Sequence, residues 1–349
     1  MLWPSSLLAF GLAIVLSLVL TPVARRIALR VDMVDRPVNR SMHSEPKPYL
    51  GGVAIYLAFM ITALISGGRH DPKVIGLVLT GGLMVALGVV DDKLRLKART
   101  KFLGQILIAA LLVYGWQMQI TFMWNPLNSS WLNFGWLAGP LSVIWIVAMV
   151  NVVNLVDGLD GLAAGISTIA ALTLMLIALQ QGMSTPVILT AALAGSTIGF
   201  LRYNFNPAKI FMGDAGSMFL GFALAGLSIQ GVMKSALAVG VVVPVLALGL
   251  PILDTAFAII RRLATGRSIG EADKDHLHHR LLRLGLSHRN TVLVMWAISA
   301  WMGLTAVALV GVRYRYAILI VAVLAVVVLF GARRLGLLRL NRDKETAER

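Results

Sequence analysis

Residues 137–161 read LAGPLSVIWIVAMVNVVNLVDGLDG. The first 20 carry no ionisable side chain. At 1.5 Å per residue that run crosses the roughly 30 Å hydrocarbon core of a bilayer. The last five carry two carboxylates, Asp157 and Asp160. If the helix continues, Asn151, Asn154 and Asp157 recur at i, i+3 and i+6 and share one face. A polar stripe at bilayer depth is costly unless it has partners. Hydrogen bonding between helices accounts for the two Asn but not for the two carboxylates. This segment therefore predicts an apolar helix that delivers polar chemistry to a membrane surface.

The rest of the chain agrees. Of 349 residues, 58% are hydrophobic and 13% are charged, with a mean hydropathy of +0.82. A soluble domain carries about 45–50% apolar and about 25% charged residues. That composition excludes a soluble enzyme, a disordered chain and a fibre. The lack of Cys excludes disulfides, thiolate metal sites and thiol nucleophiles.

Eleven apolar segments are legible, at roughly 5–21, 51–66, 74–90, 102–120, 137–153, 161–179, 186–201, 212–230, 236–257, 292–312 and 316–331. The first lacks a basic stretch before it and is read as a retained span. Loops at 22–50, 91–101, 154–161, 202–216 and 261–291, with a basic tail at 332–349, hold 26 of the 31 Lys and Arg; the opposite side holds 5. That bias marks the rich side as cytoplasmic, with the N-terminus outside and the C-terminus inside. The fold class expected is an all-α integral membrane protein, one polytopic unit over 1–331. Of 16 acids only Asp71 falls outside, so the polar chemistry faces the cytoplasm. The loop 121–136, with Trp124, Trp131 and Trp136, reads as an interfacial aromatic belt.

Four further clusters sit on the cytoplasmic side. Asp91 and Asp92 are adjacent carboxylates, which repel unless a divalent cation, a Lys or a shared proton offsets them. The alternative is a solvated helix end balanced by Lys93 and Arg95. Asp214, flanked by Gly213 and Gly216, is either an N-cap or a ligand for a hard cation near phosphate. His276, His278 and His279 lie near Arg261, Arg262, Arg267, Lys274 and Arg280. Their spacing matches no common zinc pattern. His among Arg suits a polyanion such as a diphosphate, or a solvated loop held against anionic lipid. Asp254 falls seven residues before Arg261, roughly 10 Å below the surface. It is a functional candidate or the structural partner of a basic residue, and Pro251 is expected to kink its helix. Oxygen ligands without thiols point to Mg²⁺ or Mn²⁺, and such a cation among basic residues points to phosphate chemistry. No GxxxxGK[ST] loop is present.

Five stretches now stand together: HSEPKPYLGG (43–52), DDKLRLKARTKFLGQ (91–105), NVVNLVDGLDGL (151–162), NFNPAKIFMGDAGS (204–217) and DHLHHRLLRLGLSHRNT (275–291). In sequence, order and topology they resemble the polyprenyl-phosphate N-acetylhexosamine-1-phosphate transferases. The HLHH loop looks like the branch that uses UDP-N-acetylglucosamine and starts O-antigen, enterobacterial common antigen or teichoic-acid linkage units, with the Gram-positive teichoic-acid enzymes nearest. It is less like the pentapeptide translocase, which has a three-His run and a Lys where this chain has Ser44. Ile269-Gly270-Glu271 departs from the Pro and aromatic residue that relatives carry, which touches sugar recognition and not the reaction.

The resemblance implies that undecaprenyl phosphate attacks the β-phosphorus of UDP-GlcNAc, with Mg²⁺ or Mn²⁺, in the cytoplasmic membrane of a bacterium. It implies Asp214 as principal metal ligand, with Asn154 placing the metal. Lys101 would hold phosphate, Phe211 would stack on uracil, and Asn204 would support the nucleotide. His276, His278, His279 and Arg267 would take the sugar-diphosphate, and Asn151 would join the substrate side. Asp91 or Asp92 would deprotonate or position the lipid phosphate; Asp157 and Asp160 would organise the metal and diphosphate. A phosphomonoester has a second pKa of about 6, so the acceptor is already nucleophilic near pH 7 and a strong base is a weaker requirement. One-step displacement and a two-step aspartyl-phosphate route are both open. Other UDP-N-acetylhexosamines and UDP-MurNAc-pentapeptide remain alternative donors, and an ion-coupled transporter of a phosphorylated metabolite is the competing class. Acids at helix ends rather than at the midplane favour the enzyme. Membrane lipid is a partner and nucleic acid is not; a homodimer is compatible with a sequence that does not specify oligomeric state.

Overall fold

A computed structural model describes residues 2–36, 46–66, 70–125, 130–231, 242–264, 276–312 and 314–334. Among these there are thirteen α-helices. They are α1 (Leu2–Arg30), α2 (Gly51–Ile65), α3 (Pro72–Leu94), α4 (Ala98–Ala110), α5 (Ala138–Val156), α6 (Leu162–Gln180) and α7 (Ser184–Asn204). There follow α8 (Gly213–Gly231), α9 (Val242–Ala247), α10 (Gly249–Ala264), α11 (Leu277–Arg283), α12 (His288–Leu309) and α13 (Tyr314–Arg334). Seven helices are long and apolar enough to cross a membrane, and the shorter apolar helices Gly51–Ile65 and Tyr316–Val328 add to them. The molecule is thus an all-α, multi-pass membrane protein.

Helix α8 lies at the centre. It is buried without a break from Ala215 to Ile229, packed against α2, α3, α5 and α6. Small residues let these backbones close on one another. A Cβ at Gly221 would meet the backbone of Met149 and Val150 on α5, and one at Gly88 would meet Ala215. The polar Asp214 and the many Gly lower the hydropathy of α8. It is held by neighbouring helices on all sides rather than by lipid.

Each of the eleven apolar segments contains a helix, but the ninth is not continuous. Helix α9 ends at Ala247 and α10 starts at Gly249, so the kink expected at Pro251 is a break at Leu248, three residues earlier. Pro251 then falls in the first turn of α10, where a missing N–H has no intrahelical partner to lose. Residues 236–241 lie outside the described residues, as do Arg267 and the tail beyond 334. Two small antiparallel hairpins flank the bundle at opposite ends. Val34–Asp35 pairs with Lys47–Pro48, and Phe122–Asn125 pairs with Ser130–Asn133, in the register Trp124↔Trp131. The aromatic stretch 121–136 is thus a hairpin followed by one short turn of helix, with Trp136 fully displayed on it.

Candidate active site

The C-terminal ends of α3, α5 and α7 meet the N-terminal ends of α4, α6 and α8 at one end of the bundle. There they surround a cavity of about 1130 Å³. Asp91, Asp92, Asn154, Asp157, Asp160, Asn204, Phe211, Asp214 and His279 line it. Residues more than 180 positions apart in the chain are thus brought to one site.

At its floor is a buried ion-pair cluster. Lys101, in the first turn of α4, places Nζ 2.8 Å from Asp91 Oδ2 and 2.6 Å from Asp214 Oδ2. The same Nζ donates to Asn154 Oδ1 at 3.3 Å. Asn154 Nδ2 donates to Asp214 Oδ1 at 2.6 Å and to Ser217 Oγ at 2.8 Å. Lys101 is 16% exposed and Asp91 8%, while Asp214 keeps 31% and faces the cavity. Buried charges are stable only when paired, and here one ammonium serves two carboxylates.

Asp91 and Asp92 divide between two tasks. Asp91 also accepts the Leu96 N–H at 2.8 Å, which fixes the turn from α3 into α4. Asp92 points the other way, accepting the N–H groups of Asp214 at 2.8 Å and Ala215 at 3.3 Å. The cap of α8 therefore comes from a residue 122 positions earlier, and Asp214 does not cap its own helix. Gly213 is needed beside it. Its φ is +69°, and a Cβ there would lie 2.5 Å from Asp92 Oδ2.

Helix α5 does not continue through Asp157. It ends at Val156, and a tight turn carries the chain to α6, with Gly161 at φ +79°. The shared face expected of residues 151, 154 and 157 therefore stops at 154. Asn151 lies one turn deeper and does not line the cavity. Its Nδ2 donates to Gln105 Oε1 at 2.8 Å and to Val147 O at 2.8 Å. Asn151 and Asn154, three apart on α5, meet Gln105 and Lys101, four apart on α4. Freed from the helix, Asp157 is enclosed near Asp214, Asp92 and Asp160; burial first, then these charges, push its pKa up to about 8.

Asp160 and Asn204 hold the loop between α7 and α8. Asp160 Oδ2 accepts the Ala208 N–H at 2.9 Å and Asn206 Nδ2 at 3.3 Å, with Lys47 Nζ 3.6 Å away. Asn204 Oδ1 accepts the Gly161 N–H, and its Nδ2 donates to Ile210 O, both at 3.0 Å. That loop pairs with the first hairpin, the Phe211 N–H donating to Pro48 O at 2.9 Å. Above it, Lys47 Nζ lies 5.3 Å from the Phe211 ring centre and the Tyr49 ring 6.4 Å from it. Burial and the neighbouring Asp35 raise the Tyr49 pKa.

The three His separate. His279 lines the cavity, as does His288, whereas His276 and His278 are buried behind it. His276 Nδ1 lies 3.1 Å from Asp254 Oδ2. His278 packs on the α5–α6 turn, its Nε2 2.7 Å from where a Gly158 Cβ would stand. Burial, and then the charge of His279, lower its pKa to about 4, so at neutral pH it is an uncharged wedge rather than a cation for a diphosphate. Sequence reasoning missed Arg25, Lys47, Tyr49, Arg95 and His288, which also line the cavity. Lys47, Tyr49, Arg95 and His288 fall within the quoted motifs but carry no pattern of their own.

Residues 74–232 match the family described as glycosyl transferase family 4. A Bacillus subtilis (strain 168) protein named a probable undecaprenyl-phosphate N-acetylglucosaminyl 1-phosphate transferase is 39% identical, over 86% of this chain and 84% of its own. The decaprenyl-phosphate N-acetylglucosaminephosphotransferase of Mycolicibacterium smegmatis is 34% identical, over 81% of this chain and 76% of its own. A phospho-N-acetylmuramoyl-pentapeptide-transferase of Moorella thermoacetica is 32% identical, over 75% of this chain and 84% of its own. With both the extent and the identity of these matches, the chain belongs to glycosyl transferase family 4.

Proposed function

We propose that this chain transfers GlcNAc-1-phosphate from UDP-GlcNAc to undecaprenyl phosphate on the cytoplasmic face of a bacterial membrane and so starts a cell-envelope glycopolymer. An acceptor phosphate oxygen forms a bond to the β-phosphorus, the bond from that phosphorus to the bridging oxygen breaks, and UMP leaves. The observation that carries the reading is the Asp91–Lys101–Asp214–Asn154 cluster at the floor of a cavity built from helix ends. Such a site is open to a soluble nucleotide from the cytoplasm and close to the level of lipid phosphates. Two relatives described above are named as N-acetylglucosamine 1-phosphate transferases, one for undecaprenyl phosphate and one for decaprenyl phosphate.

The residues divide by task. Lys101 neutralises phosphate charge, and Asp91 and Asp92 hold Lys101 and Asp214 in place rather than removing a proton. The acceptor needs little help in losing one, since its second pKa is about 6. The Phe211–Tyr49–Lys47 group receives the base, and His279 faces the sugar-diphosphate. Aligning and neutralising is most of what phosphoryl transfer requires.

The donor set fits Mg²⁺ or Mn²⁺. Among the described residues no three acids or His are grouped to make a closed cage. Mg²⁺ sites use one or two carboxylates completed by substrate phosphates and water, so none is needed. Asp214 would hold the ion and Asn154 Oδ1 would add to it. When bound, it would offset diphosphate charge and the charge developing on the UMP leaving group.

Eleven spans with the C-terminus inside would put the cavity on the cytoplasmic side; a reporter after Arg349 reads cytoplasmic on this topology, and an outside signal overturns it. The function is tested by UMP release from detergent-purified protein given UDP-GlcNAc, undecaprenyl phosphate and Mg²⁺, each omitted in turn. UMP is expected only with all three. UMP from another UDP-N-acetylhexosamine alone overturns the donor, and none from any donor overturns the reaction.

A further inference from the structure

Asp254 is an acid inside α10 that the reaction described above does not use. Its side chain is 2% exposed, and its carboxylate is shared between two groups that are neighbours in sequence. Oδ1 accepts the Leu277 N–H at 2.8 Å, and Oδ2 meets His276 Nδ1 at 3.1 Å. Leu277 is the first residue of α11, and His276, at the capping position, makes no side-chain cap bond of its own. Asp254, 23 residues earlier, takes over that task. A helix of seven residues is marginal without outside contacts, so its direction depends on how its first turn is held.

That direction matters at the cavity. From the anchored start, α11 presents the His278 ring to Gly158, in the turn that carries Asp157 and Asp160, and puts His279 on the cavity wall. The rings of His276 and His278 lie parallel with centres 5.8 Å apart, and His279 lies 4.2 Å beyond. A change at Asp254 reaches the cavity through this stack.

We infer that Asp254 is a positioning residue: it fixes the start of α11 and thereby seats His279 against the donor sugar-diphosphate. The inference rests on the proposed donor for its kinetic consequence, but not for its structural one. The test compares Asp254→Ala with Asp254→Asn in the full chain, purified in detergent. Asn keeps an oxygen for the Leu277 N–H; Ala keeps nothing. Amide exchange is followed over 276–284 and over α8, and KM for UDP-GlcNAc and kcat are taken from UMP release.

For Asp254→Ala, exchange in α11 is expected to quicken at least tenfold with α8 unchanged. KM is expected to rise at least tenfold with kcat within about threefold, because a contact made equally in ground and transition states changes KM alone. Asp254→Asn is expected to keep slow exchange and a KM within about threefold of wild type. Slow α11 exchange in the Ala variant overturns the inference. So does fast exchange with an unchanged KM, or equal loosening of α8 in both variants, which marks a general structural role. If wild type releases no UMP, the donor reading fails, and the exchange result alone decides for or against Asp254 as the anchor of α11.

Discussion

Replacing Asp92 separates two roles that its position beside Asp91 leaves entangled. If Asp92 is the cap of α8, its work is done by two oxygens on the N–H groups of Asp214 and Ala215. If it is a base, its work is done by its charge. Asp92→Ala removes both. Losing a capping residue costs about 1–2 kcal/mol, and bonds to a charged acceptor fall in the range of about 1.5–3 kcal/mol. The larger effect is geometric, since Asp214 stands on the N–H that Asp92 holds. A misplacement of about 1 Å at a reacting centre costs on the order of a hundredfold. Asp92→Ala should therefore lower kcat for UMP release by about two to three orders of magnitude, with a lower thermal midpoint. Asp92→Asn still offers one oxygen to the Asp214 N–H and cannot act as a base. It should retain at least tenfold more activity than the Ala variant and recover most of the thermal midpoint. Steady-state UMP release and unfolding in detergent measure both. Asn and Ala variants equally inactive, with wild-type midpoints, would refute the capping argument and return Asp92 to the role of base.

Lys101→Met leaves Asp91 and Asp214 without their shared cation; breaking a buried pair costs about 3–5 kcal/mol, so a marked drop in thermal midpoint and a loss of at least a thousandfold in UMP release are expected. Lys101→Arg should not restore activity, because a planar guanidinium cannot replace a compact ammonium between two carboxylates and an amide. Gly158→Ala should drive the His278 ring out of place and slow UMP release at least tenfold; paired with His278→Ala it should cost less than the two changes separately, as a double-mutant cycle would report. His278 supplies a pH test. The unfolded chain protonates it near 6.5 and the folded chain only near 4, so its contribution is present above 6.5 and lost as pH falls toward 4. The ceiling is on the order of 3 kcal/mol, and thermal midpoints between pH 7 and 4 should fall less steeply in His278→Gln than in wild type.

The membrane fold was open to reading because hydropathy is a local property. The eleven apolar runs needed only their own residues. Asp214 and Asn154 were also legible, since an acid between glycines and an amide at the end of a span are unusual in themselves. What stayed hidden is what depends on distant partners. Nothing near Asp92 shows that it caps a helix more than a hundred residues on. The extension of α5 to Asp157 followed from periodicity, but the turn through Gly158 and Gly161 ends it at Val156. His276, His278 and His279 looked like one cationic group; Asp254 and Gly158 divide them, and both partners lie far off in the chain. Asn151 looked like Asn154 three residues later, and only the packing of α4 tells Gln105 from Lys101 as their partners.

Charge balance in the cavity leads to the last prediction. Asp35, Asp91, Asp92, Asp157, Asp160 and Asp214 line it, against Arg25, Lys47, Arg95 and Lys209. Lys101 adds a fifth cation through its bonds to Asp91 and Asp214. At pH 7 Asp157, with its pKa near 8, is mostly neutral, and Asp92, pushed up to about 7 by burial, is about half so, which leaves between four and five carboxylates against five cations. A nearly balanced site then has to accept a diphosphate and a lipid phosphate, the latter alone carrying about −1.5 to −2 at pH 7. Those anions repel one another in a partly buried space, so a divalent cation should bind with the donor rather than before it. Titration of UDP-GlcNAc into the purified protein should give a Kd at least tenfold weaker with EDTA than with Mg²⁺. Asp214→Asn should remove most of that difference while donor binding in EDTA stays near the wild-type value. A Kd independent of Mg²⁺ would mean that the protein's own cations suffice, and the charge count would then be wrong about which groups are ionised.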